Sequence, residues 1–259
     1  RLAINGLNSI SNQPFEINNI ILVCNGEIYN FKQLAKDNSI PLTTESDCEI
    51  IIHLYQKYGI EYTLSLLDGV FAFILYDKNI DKLIVARDPY GVRPLYYFIE
   101  NNIVSFASEI KVLYSLSNIK KTINHFMPGN YMILSDINSN NINYNYKKYT
   151  AFPCSDIMYK SPIILHTKMI DILEYAVEKR INGTSERPIG CLLSGGLDSS
   201  VIAALVNKFY KSNKQLQTFS IGLPGSEDLK YAAIVAKHLK TKHHEIVLSE
   251  AEFFDAIPE

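Results

Sequence analysis

Residues 189–206 have the sequence IGCLLSGGLDSSVIAALV, in which an apolar run is followed by two glycines and a run with helical spacing. The length and composition of Ile189–Leu193 are typical of a buried strand. Gly195 and Gly196 allow a tight turn, because glycine accepts positive φ angles. Apolar residues then recur at helical spacing as far as Val206. The stretch therefore predicts strand, turn and helix, the repeating unit of a parallel sheet.

The same alternation continues on both sides of this stretch. Helical spacing precedes it over Ile163–Ile181, and a strand over Thr218–Ile221 follows it. A helix over Asp228–Leu239 and a strand over His244–Leu248 complete the series. The second half of the chain therefore predicts an α/β domain with a parallel sheet, whose ligands bind at the carboxyl ends of the strands.

The first half consists mainly of predicted strands. Asn25-Gly26 is a turn signal after the first strand, and a single helix is predicted over Cys48–Lys57. The predicted strands are Ile20–Cys24, Gly69–Tyr76, Lys82–Ala86, Pro94–Ile99 and Ile103–Ala107. This pattern predicts a largely antiparallel, layered α+β domain.

The boundary between the two halves is predicted from loop and proline signals. A loop is predicted over Asn138–Asn145, and Pro153 and Pro162 place the boundary near residues 150–160. We therefore expect one domain over residues 1–155 and a second over residues 156–259.

Composition narrows the possible partners. The 259 residues carry a formal net charge of -2, so neither nucleic acid nor a membrane surface is an expected partner. No apolar run is long enough to span a membrane, and residues 1–6 do not resemble a signal peptide. The cysteines show no metal-binding spacing, so four reduced thiols and a cytoplasmic location are expected. They are Cys24, Cys48, Cys154 and Cys191.

The glycine turn at residues 194–200 combines groups that favour a bound phosphate. Backbone amides, serine hydroxyls and a helix N-terminus converge there, and Asp198 is suited to a Mg²⁺ that bridges to phosphates. No Gly-Lys-Ser/Thr follows, so the Walker A pattern is absent. The alternative is an ordinary strand-to-helix turn capped by Asp and Ser.

The loops of the first half contain polar groups suited to a second chemistry. The side-chain amide of Asn25 and the N–H of Gly26 are the two donors that an oxyanion hole needs. The alternative is a type I′ turn at this Asn-Gly pair. Arg1 could clamp a carboxylate, and Glu27 and Asp47 could bind an ammonium group. Each of these charges, taken alone, is more often simply solvated.

Taken in order, these strings resemble two known families. The first half resembles the glutaminase domain of class II glutamine amidotransferases, which are N-terminal-nucleophile hydrolases. Residues 194–200 resemble the SGGxDS pyrophosphate loop of the N-type ATP pyrophosphatases. The combination resembles the glutamine-hydrolysing asparagine synthetase family over essentially the whole chain. The strings that carry this resemblance are Arg1–Ile4, Asn25–Asn30, Ser46–Glu49, Leu67–Phe73, Arg87–Tyr96, Ala107–Lys111, Met127–Tyr131, Ser194–Ser200, Phe219–Ser226, Asp228-Leu229 and His243–Glu245.

The resemblance implies an α+β layered N-terminal-nucleophile hydrolase-like domain, truncated at its N-terminus. An α/β parallel-sheet ATP pyrophosphatase domain, truncated at its C-terminus, follows it. The implied reaction adenylates the aspartate side chain with ATP and Mg²⁺. Ammonia from glutamine then attacks β-aspartyl-AMP, and the products are asparagine, glutamate, AMP and pyrophosphate. L-glutamine, L-aspartate and ATP are thus the expected partners, and a homodimer stays open.

The resemblance also assigns site residues. Asn25 and Gly26 form the oxyanion hole. Glutamine is bound by Arg1, Leu2, Ala3, Ile4, Asn5, Asn25, Gly26, Glu27 and Asp47. ATP is bound by Leu193, Ser194, Gly195, Gly196, Asp198, Ser199 and Ile221, with Asp198 near Mg²⁺.

The chain also departs from the family pattern. The family's nucleophile is an N-terminal cysteine, and none of the four cysteines present has a free α-amine to act as base. The family's second nucleotide loop is also missing. We therefore expect an internal fragment that is inactive alone. A β-lactam synthetase-like relative with an inactive glutaminase, or a non-catalytic nucleotide-binding module, remains as an alternative.

Two pairs of residues are expected to have structural roles. Arg87 and Asp88 are expected to order the loop before Gly91 as a buried ion pair, although contact with substrate is the alternative. His243-His244 is expected to be a pair at a strand edge, because no acidic or thiol partner is spaced around it for a metal.

Overall fold

The computed structural model describes residues 1–100, 103–116, 122–135, 142–150, 162–184 and 186–257. These residues form two compact units, Arg1–Asp156 and Ile157–Glu259. Cys154 and Pro153 lie outside the described residues, whereas Pro162 lies within them.

The first unit contains a six-stranded sheet in which every described pair of neighbouring strands is antiparallel, as predicted. Its strand order is β1-β2-β3-β4-β8-β9. The strands are β1 (Phe15–Ile17), β2 (Ile20–Ile28), β3 (Gly69–Asp77), β4 (Lys82–Arg87), β8 (Asn130–Ser135) and β9 (Asn143–Lys148). The predicted loop over Asn138–Asn145 is wrong where β9 begins, because Asn143–Asn145 pair with β8.

The predicted turn at Asn25-Gly26 is also wrong. Strand β2 continues to Ile28, with Asn25 opposite Ala72 and Gly26 opposite Phe71 of β3. Gly26 allows β2 and β3 to approach each other closely. A Cβ on Gly26 would lie 2.4 Å from the carbonyl oxygen of Val70, a distance that no side chain tolerates. Sequence alone does not distinguish this use of glycine from a turn.

A second sheet of the first unit has three antiparallel strands in the order β6-β5-β7. They are β5 (Tyr96–Glu100), β6 (Ile103–Ala107) and β7 (Asn124–His125). The predicted strands Pro94–Ile99 and Ile103–Ala107 are thus confirmed and pair with each other, while Asn101 and Asn102 lie outside the described residues.

The described residues of this unit form three α-helices. They are α1 (Phe31–Asn38), α2 (Ile50–Leu66) and α3 (Ile110–Ser115). Only α2 was predicted. It consists of two helical segments separated by a kink at Gly59 (φ 75, ψ 173), and the second segment, which ends at Leu66, lies beyond the predicted end at Lys57. A 3₁₀ turn at Asp47–Glu49 precedes it. The helices α1 and α3 were missed because they are short, with 8 and 6 residues.

The two faces of the six-stranded sheet pack against different layers. On one face, α1, α2 and the sheet share a core that includes Leu22, Phe73 and Leu54. On the other face, Val85 and Met132 belong to a core cluster against which residues of the second sheet, such as Tyr97 and Phe106, pack. The unit is therefore a helix–sheet–sheet arrangement, which confirms the predicted layered α+β fold.

The second unit is built on a three-stranded parallel sheet in the order β10-β11-β12, as predicted. Its strands are β10 (Gly190–Leu192), β11 (Gln217–Gly222) and β12 (Lys242–Val247), and its helices are α4 (Pro162–Gly183), α5 (Leu197–Phe209), α6 (Glu227–Leu239) and α7 (Glu250–Asp255). Val177, Leu193, Ala203 and Ala232 are among its core residues. None of the helices in the described part of the chain is long and apolar enough to cross a membrane.

Candidate functional site

The first candidate site lies along one edge of β2. Strand β1 pairs with β2 only as far as Leu22, so no described strand covers this edge at residues 24–28. Side chains take its place. The N–H of Cys24 donates to Gln13 Oε1 at 2.7 Å, and that of Ile28 donates to Asp47 Oδ2 at 2.7 Å. Backbone groups alternate along a strand, so the N–H of Gly26 points to the same edge, between these two.

The side chain of Asn25 is held from two sides. Its Nδ2 donates to Ser108 Oγ at 3.1 Å, and its Oδ1 accepts from Arg93 Nη2 at 2.8 Å. The amide lies directly beside Gly26, so the two predicted oxyanion donors are adjacent at the uncovered end of β2. One hydrogen of the Asn25 amide remains for a ligand, because an amide nitrogen carries two.

A cavity of about 250 Å³ opens next to Asn25. It brings together Arg1 and Asn25, both predicted to bind glutamine, with Ser108. The other lining residues are Gln13, Val23, Cys24, Ala72, Ile74, Leu95, Phe106 and Ala107. The remaining predicted residues are not in this lining, and Asn5 is buried. Leu2, Ala3 and Ile4 are partly buried in the segment that follows Arg1.

Arg1 is exposed and lies over the loop that precedes β1. Its guanidinium donates to Asn12 Oδ1 at 2.9 Å and to the carbonyl oxygens of Asn5 and Gly6. These contacts hold the guanidinium at the cavity, but they also use donors that the predicted carboxylate clamp needs.

Asp47 and Glu27 occupy different parts of the same region. Glu27 shares a face of β2 with Asn25, because side chains alternate along a strand, whereas Asp47 lies at the edge beside Ile28. Burial raises the pKa of Asp47 to about 6, against the opposing effect of the Ile28 N–H. A nearby cation stabilises the ionised form of a buried carboxylate, and binding of an ammonium group requires this property.

Glu49 holds the segment that carries Asp47. Its carboxylate is fully buried and accepts hydrogen bonds from the backbone and hydroxyl groups of Thr43 and Thr44 at 2.6–2.8 Å, and it contacts His53 Nε2 at 3.1 Å. Burial alone would raise the pKa of Glu49, but the bonds from His53, Thr44 and Thr43 outweigh it and lower the pKa to about 2.

Arg87 and Asp88 order the loop between β4 and β5, as predicted, but not through an ion pair with each other. Asp88 is fully buried and accepts from the N–H groups of Phe71, Tyr90, Val92 and Arg93 at 2.9–3.2 Å. Arg87 donates to the backbone carbonyls of Gly91, Arg93 and Phe126 at 2.5–2.7 Å, and its Nη1 lies 2.8 Å from His125 Nε2.

The second candidate site is the loop between β10 and α5. Ser199 Oγ links the loop internally: it lies 3.0 Å from Ser194 Oγ, accepts from the N–H of Ser194 at 3.3 Å, and donates to the carbonyl of Gly196 at 3.1 Å. Gly196 is the N-cap of α5, and no side chain caps this helix. The first N–H groups of α5 are thus available to an anion.

Glycine is present at the two positions of this loop for different structural reasons. Gly195 has φ +81, and a Cβ there would lie 2.6 Å from the N of Ala232, so packing against α6 requires glycine. A Cβ on Gly196 would meet no protein atom closer than 3.6 Å. Protein packing therefore leaves open space over Gly196, where a phosphate could approach the backbone closely.

The other residues predicted to bind ATP differ in their exposure. Asp198 is exposed in the first turn of α5. Ile221 is 54% exposed near the carboxyl end of β11, but Leu193 is 1% exposed, so only its backbone can face a nucleotide. A single carboxylate fits Mg²⁺, which usually takes one or two from the protein and the rest of its ligands from phosphates and water. No cluster of three metal-binding side chains was found among the described residues.

His243 and His244 serve the parallel sheet. His243 lies between hydroxyls of β11, at 3.0 Å from Thr218 Oγ1 and 3.1 Å from Ser220 Oγ. His244 stacks on Phe219, with ring centroids 4.8 Å apart. These contacts agree with the predicted structural pair.

Sequence reasoning missed three residues of the first site. Arg93 and Ser108 contact the side chain of Asn25, and Gln13 binds the edge of β2. Arg93 and Ser108 lie within strings that carried the family resemblance, but no local spacing connects either to Asn25, from which they are 68 and 83 residues distant.

Comparison with known proteins gives two family matches along the chain. Residues 1–162 match the family "Glutamine amidotransferase domain", and residues 168–259 match the family "Asparagine synthase". The chain is 38% identical over 257 residues to the glutamine-hydrolysing asparagine synthetase of Gallus gallus. It is 39% identical over 264 residues to a probable enzyme of the same name from Acanthamoeba polyphaga mimivirus.

These alignments cover most of this chain but only part of each relative. They include 92% of the chain and 46% of the Gallus gallus protein, and 95% and 47% for the mimivirus protein. The chain thus spans about half the length of these curated relatives. A solved structure of the "allosteric regulatory enzyme of purine biosynthesis" is 18% identical, with a TM-score of 0.47, and the alignment covers 92% of this chain and 63% of that one.

Since the glutamine amidotransferase match covers more than half of the 259 residues, the chain belongs to the glutamine amidotransferase domain family, with an asparagine synthase match over its remaining part.

Proposed function

We propose that this chain forms the glutamine site and the ATP site of an enzyme that makes L-asparagine from L-aspartate. The observation that carries the proposal is the pairing of two sites in one chain. The Asn25 amide lies beside the Gly26 N–H at an uncovered strand edge, and the Gly195-Gly196 loop follows β10 at an uncapped helix. The family matches over residues 1–162 and 168–259 support the same pairing.

In the proposed glutaminase domain, residues 1–155, the main task of the described residues is to stabilise charge. The Asn25 Nδ2 and the Gly26 N–H donate to the oxyanion that forms when the amide carbon of glutamine is attacked. Arg1 and the Leu2–Asn5 segment bind the α-carboxylate. Glu27 and Asp47 bind the α-ammonium, which favours the ionised form of Asp47 because the cation offsets the cost of burial.

In the proposed ATP domain, which begins at residue 156, the glycine loop binds the phosphates. The N–H groups of the first turn of α5 and the hydroxyl of Ser194 donate to phosphate oxygens, and Gly196 admits them to the backbone. Ser199 joins them by turning its O–H from the carbonyl of Gly196 to the phosphate. Mg²⁺, when bound beside Asp198, would neutralise phosphate charge while AMP is transferred to the aspartate carboxylate. Ile221 and the backbone of Leu193 would flank the nucleotide.

We further propose a cytoplasmic enzyme that acts as a homodimer on small molecules only. The three cysteines in the described part of the chain, Cys24, Cys48 and Cys191, are free and buried, which suits a reducing compartment. Sedimentation of the purified protein tests the dimer, and localisation of a tagged copy in the native cell tests the compartment.

The proposed function is tested with the protein expressed from its complete open reading frame. It is incubated with aspartate, ATP, Mg²⁺ and glutamine labelled with ¹⁵N in the amide group. We expect ¹⁵N-asparagine, glutamate, AMP and pyrophosphate in equal amounts. AMP and pyrophosphate without asparagine would indicate a different acceptor and contradict the proposal, as would the absence of any ATP cleavage.

Two variants separate the sites in the same assay. Asp198→Asn should abolish ATP cleavage but leave glutamine hydrolysis in place. Asn25→Ala should strongly slow glutamine hydrolysis but leave ATP cleavage in place, with synthesis maintained when ammonium chloride replaces glutamine. Lys78→Met serves as control, because it removes an exposed surface ion pair with Glu16 that touches neither site.

A further inference from the structure

Asn25 can act as an oxyanion donor only if its amide is turned the right way. Rotation of the amide by 180° exchanges an NH₂ donor for a carbonyl acceptor, and an acceptor facing an oxyanion would repel it. The orientation in this structure places Oδ1 on Arg93 Nη2 at 2.8 Å and Nδ2 on Ser108 Oγ at 3.1 Å.

Of these two contacts, only the one with Arg93 determines the orientation. A serine hydroxyl both donates and accepts, so Ser108 could satisfy either end of the amide. A guanidinium has no acceptor, so the atom of Asn25 that faces Arg93 must be the carbonyl oxygen. The charge of the guanidinium also strengthens this bond relative to a neutral donor.

Arg93 is itself fixed by the buried loop between β4 and β5. Its N–H donates to Asp88 Oδ2 at 3.0 Å, and its carbonyl accepts from Arg87 Nε at 2.7 Å. Asp88 is fully buried, so this part of the loop has little freedom to move. The Nε of Arg93 is buried and meets no acceptor in the described part of the chain, so the guanidinium is placed at some cost where Nη2 reaches Asn25.

We propose that Arg93 is a positioning residue for glutamine hydrolysis: its guanidinium locks the Asn25 amide with Nδ2 available to the oxyanion. This inference rests on the proposed function of the first unit. Arg93 acts through Asn25, so it should affect the rate of hydrolysis more than the binding of glutamine.

The test compares Arg93→Met with Arg93→Lys in the protein from the complete open reading frame. Met has a long side chain without a donor, whereas Lys keeps a donor and the charge. For Arg93→Met we expect kcat for glutamine hydrolysis to fall roughly 10–100-fold, somewhat less than the loss of an oxyanion donor itself causes. The KM for glutamine should change less than threefold, and Arg93→Lys should recover at least part of the lost kcat.

Further measurements separate positioning from general damage. Ammonia-dependent synthesis should be unchanged in Arg93→Met, and Asn25→Ala combined with Arg93→Met should be no slower than Asn25→Ala alone, because both changes remove the same interaction. Lys78→Met controls for the loss of one cation in this unit.

Three results would overturn the inference. They are an unchanged kcat in Arg93→Met, a rise in KM that matches the loss of kcat/KM, or additive losses in the double variant. If Arg93→Met does not fold, Ser108→Ala replaces it, and we expect the kcat of that variant to fall less than tenfold because Arg93 still sets the orientation. A larger fall would count against Arg93. If the unmodified protein hydrolyses no glutamine, the proposed function fails, and the role of Arg93 fails with it.

Discussion

The two candidate sites differ in how the chain builds them. The loop after β10 is one continuous segment, residues 194–200, whose internal contacts span at most five residues. The site at β2 is assembled from distant segments, because Asn25 contacts Arg93 and Ser108, and Ile28 contacts Asp47. A local loop can be recognised by its residues alone, whereas the site at β2 depends on the packing of its whole unit.

The largest effect we expect comes from Asn25→Ala. Loss of one oxyanion donor should lower kcat for glutamine hydrolysis roughly 10²–10³-fold, or about 2.7–4 kcal/mol of transition-state stabilisation. Steady-state hydrolysis measures the fall, and ATP binding by calorimetry should stay unchanged. A loss of ATP affinity in this variant would show that the two sites are not independent.

The stability of the site at β2 should also be more sensitive to acid than that of the loop after β10. The pKa of Glu49 is lowered to about 2 from 4.5, so its contribution to stability is present above pH 4.5 and is lost as the pH falls towards 2. Glu49→Gln should therefore lower the free energy of unfolding at pH 7 by about 3 kcal/mol. Urea unfolding of variant and parent at pH 7 and pH 3 checks this, and the difference should narrow at pH 3. An equal difference at both pH values would contradict the explanation.

Substitution of the two glycines in the loop after β10 should have different effects, one on stability and the other on ATP binding. Gly195→Ala places a side chain at φ +81 and against Ala232, so it should destabilise the second unit by about 2 kcal/mol or more. Gly196→Ala meets no close protein atom, so the melting temperature should change little while ATP binding weakens about tenfold. Hydrogen exchange and calorimetry measure the two effects. Normal ATP affinity in Gly196→Ala would mean that no phosphate approaches this residue.

The smallest effect concerns pH and glutamine binding. Burial raises the pKa of Asp47 to about 6, so the carboxylate that should bind ammonium is mostly ionised at pH 7 and mostly protonated at pH 5. The KM for glutamine should thus rise about tenfold between pH 7 and pH 5. Asp47→Asn should have a high KM that does not vary over this range, and a KM that still varies tenfold in this variant would assign the titration to another group.

The fold could be predicted further than the site. Hydrophobic periodicity is local, so it identified the strands β2 to β6 and β10 to β12 and the helices α2, α4, α5 and α6, but it missed β1, β7, β8 and β9. The prediction of a turn at Asn25-Gly26 was wrong because the same residue pair fits a turn and a close contact between strands. The clash of a side chain at Gly26 with Val70 becomes visible only when β3 is in place. Arg93 and Gln13 could not be assigned from sequence, because their partners are determined by loop packing.

The edge of β2 has one more consequence. An uncovered strand edge usually offers a row of donors and acceptors to which another peptide can add as a new strand. Here Gln13 and Asp47 already occupy the N–H groups on either side of Gly26, and the thiol of Cys48 contacts its carbonyl at 3.8 Å. The edge therefore resists strand addition and aggregation, yet it can still offer a single amide to a small molecule.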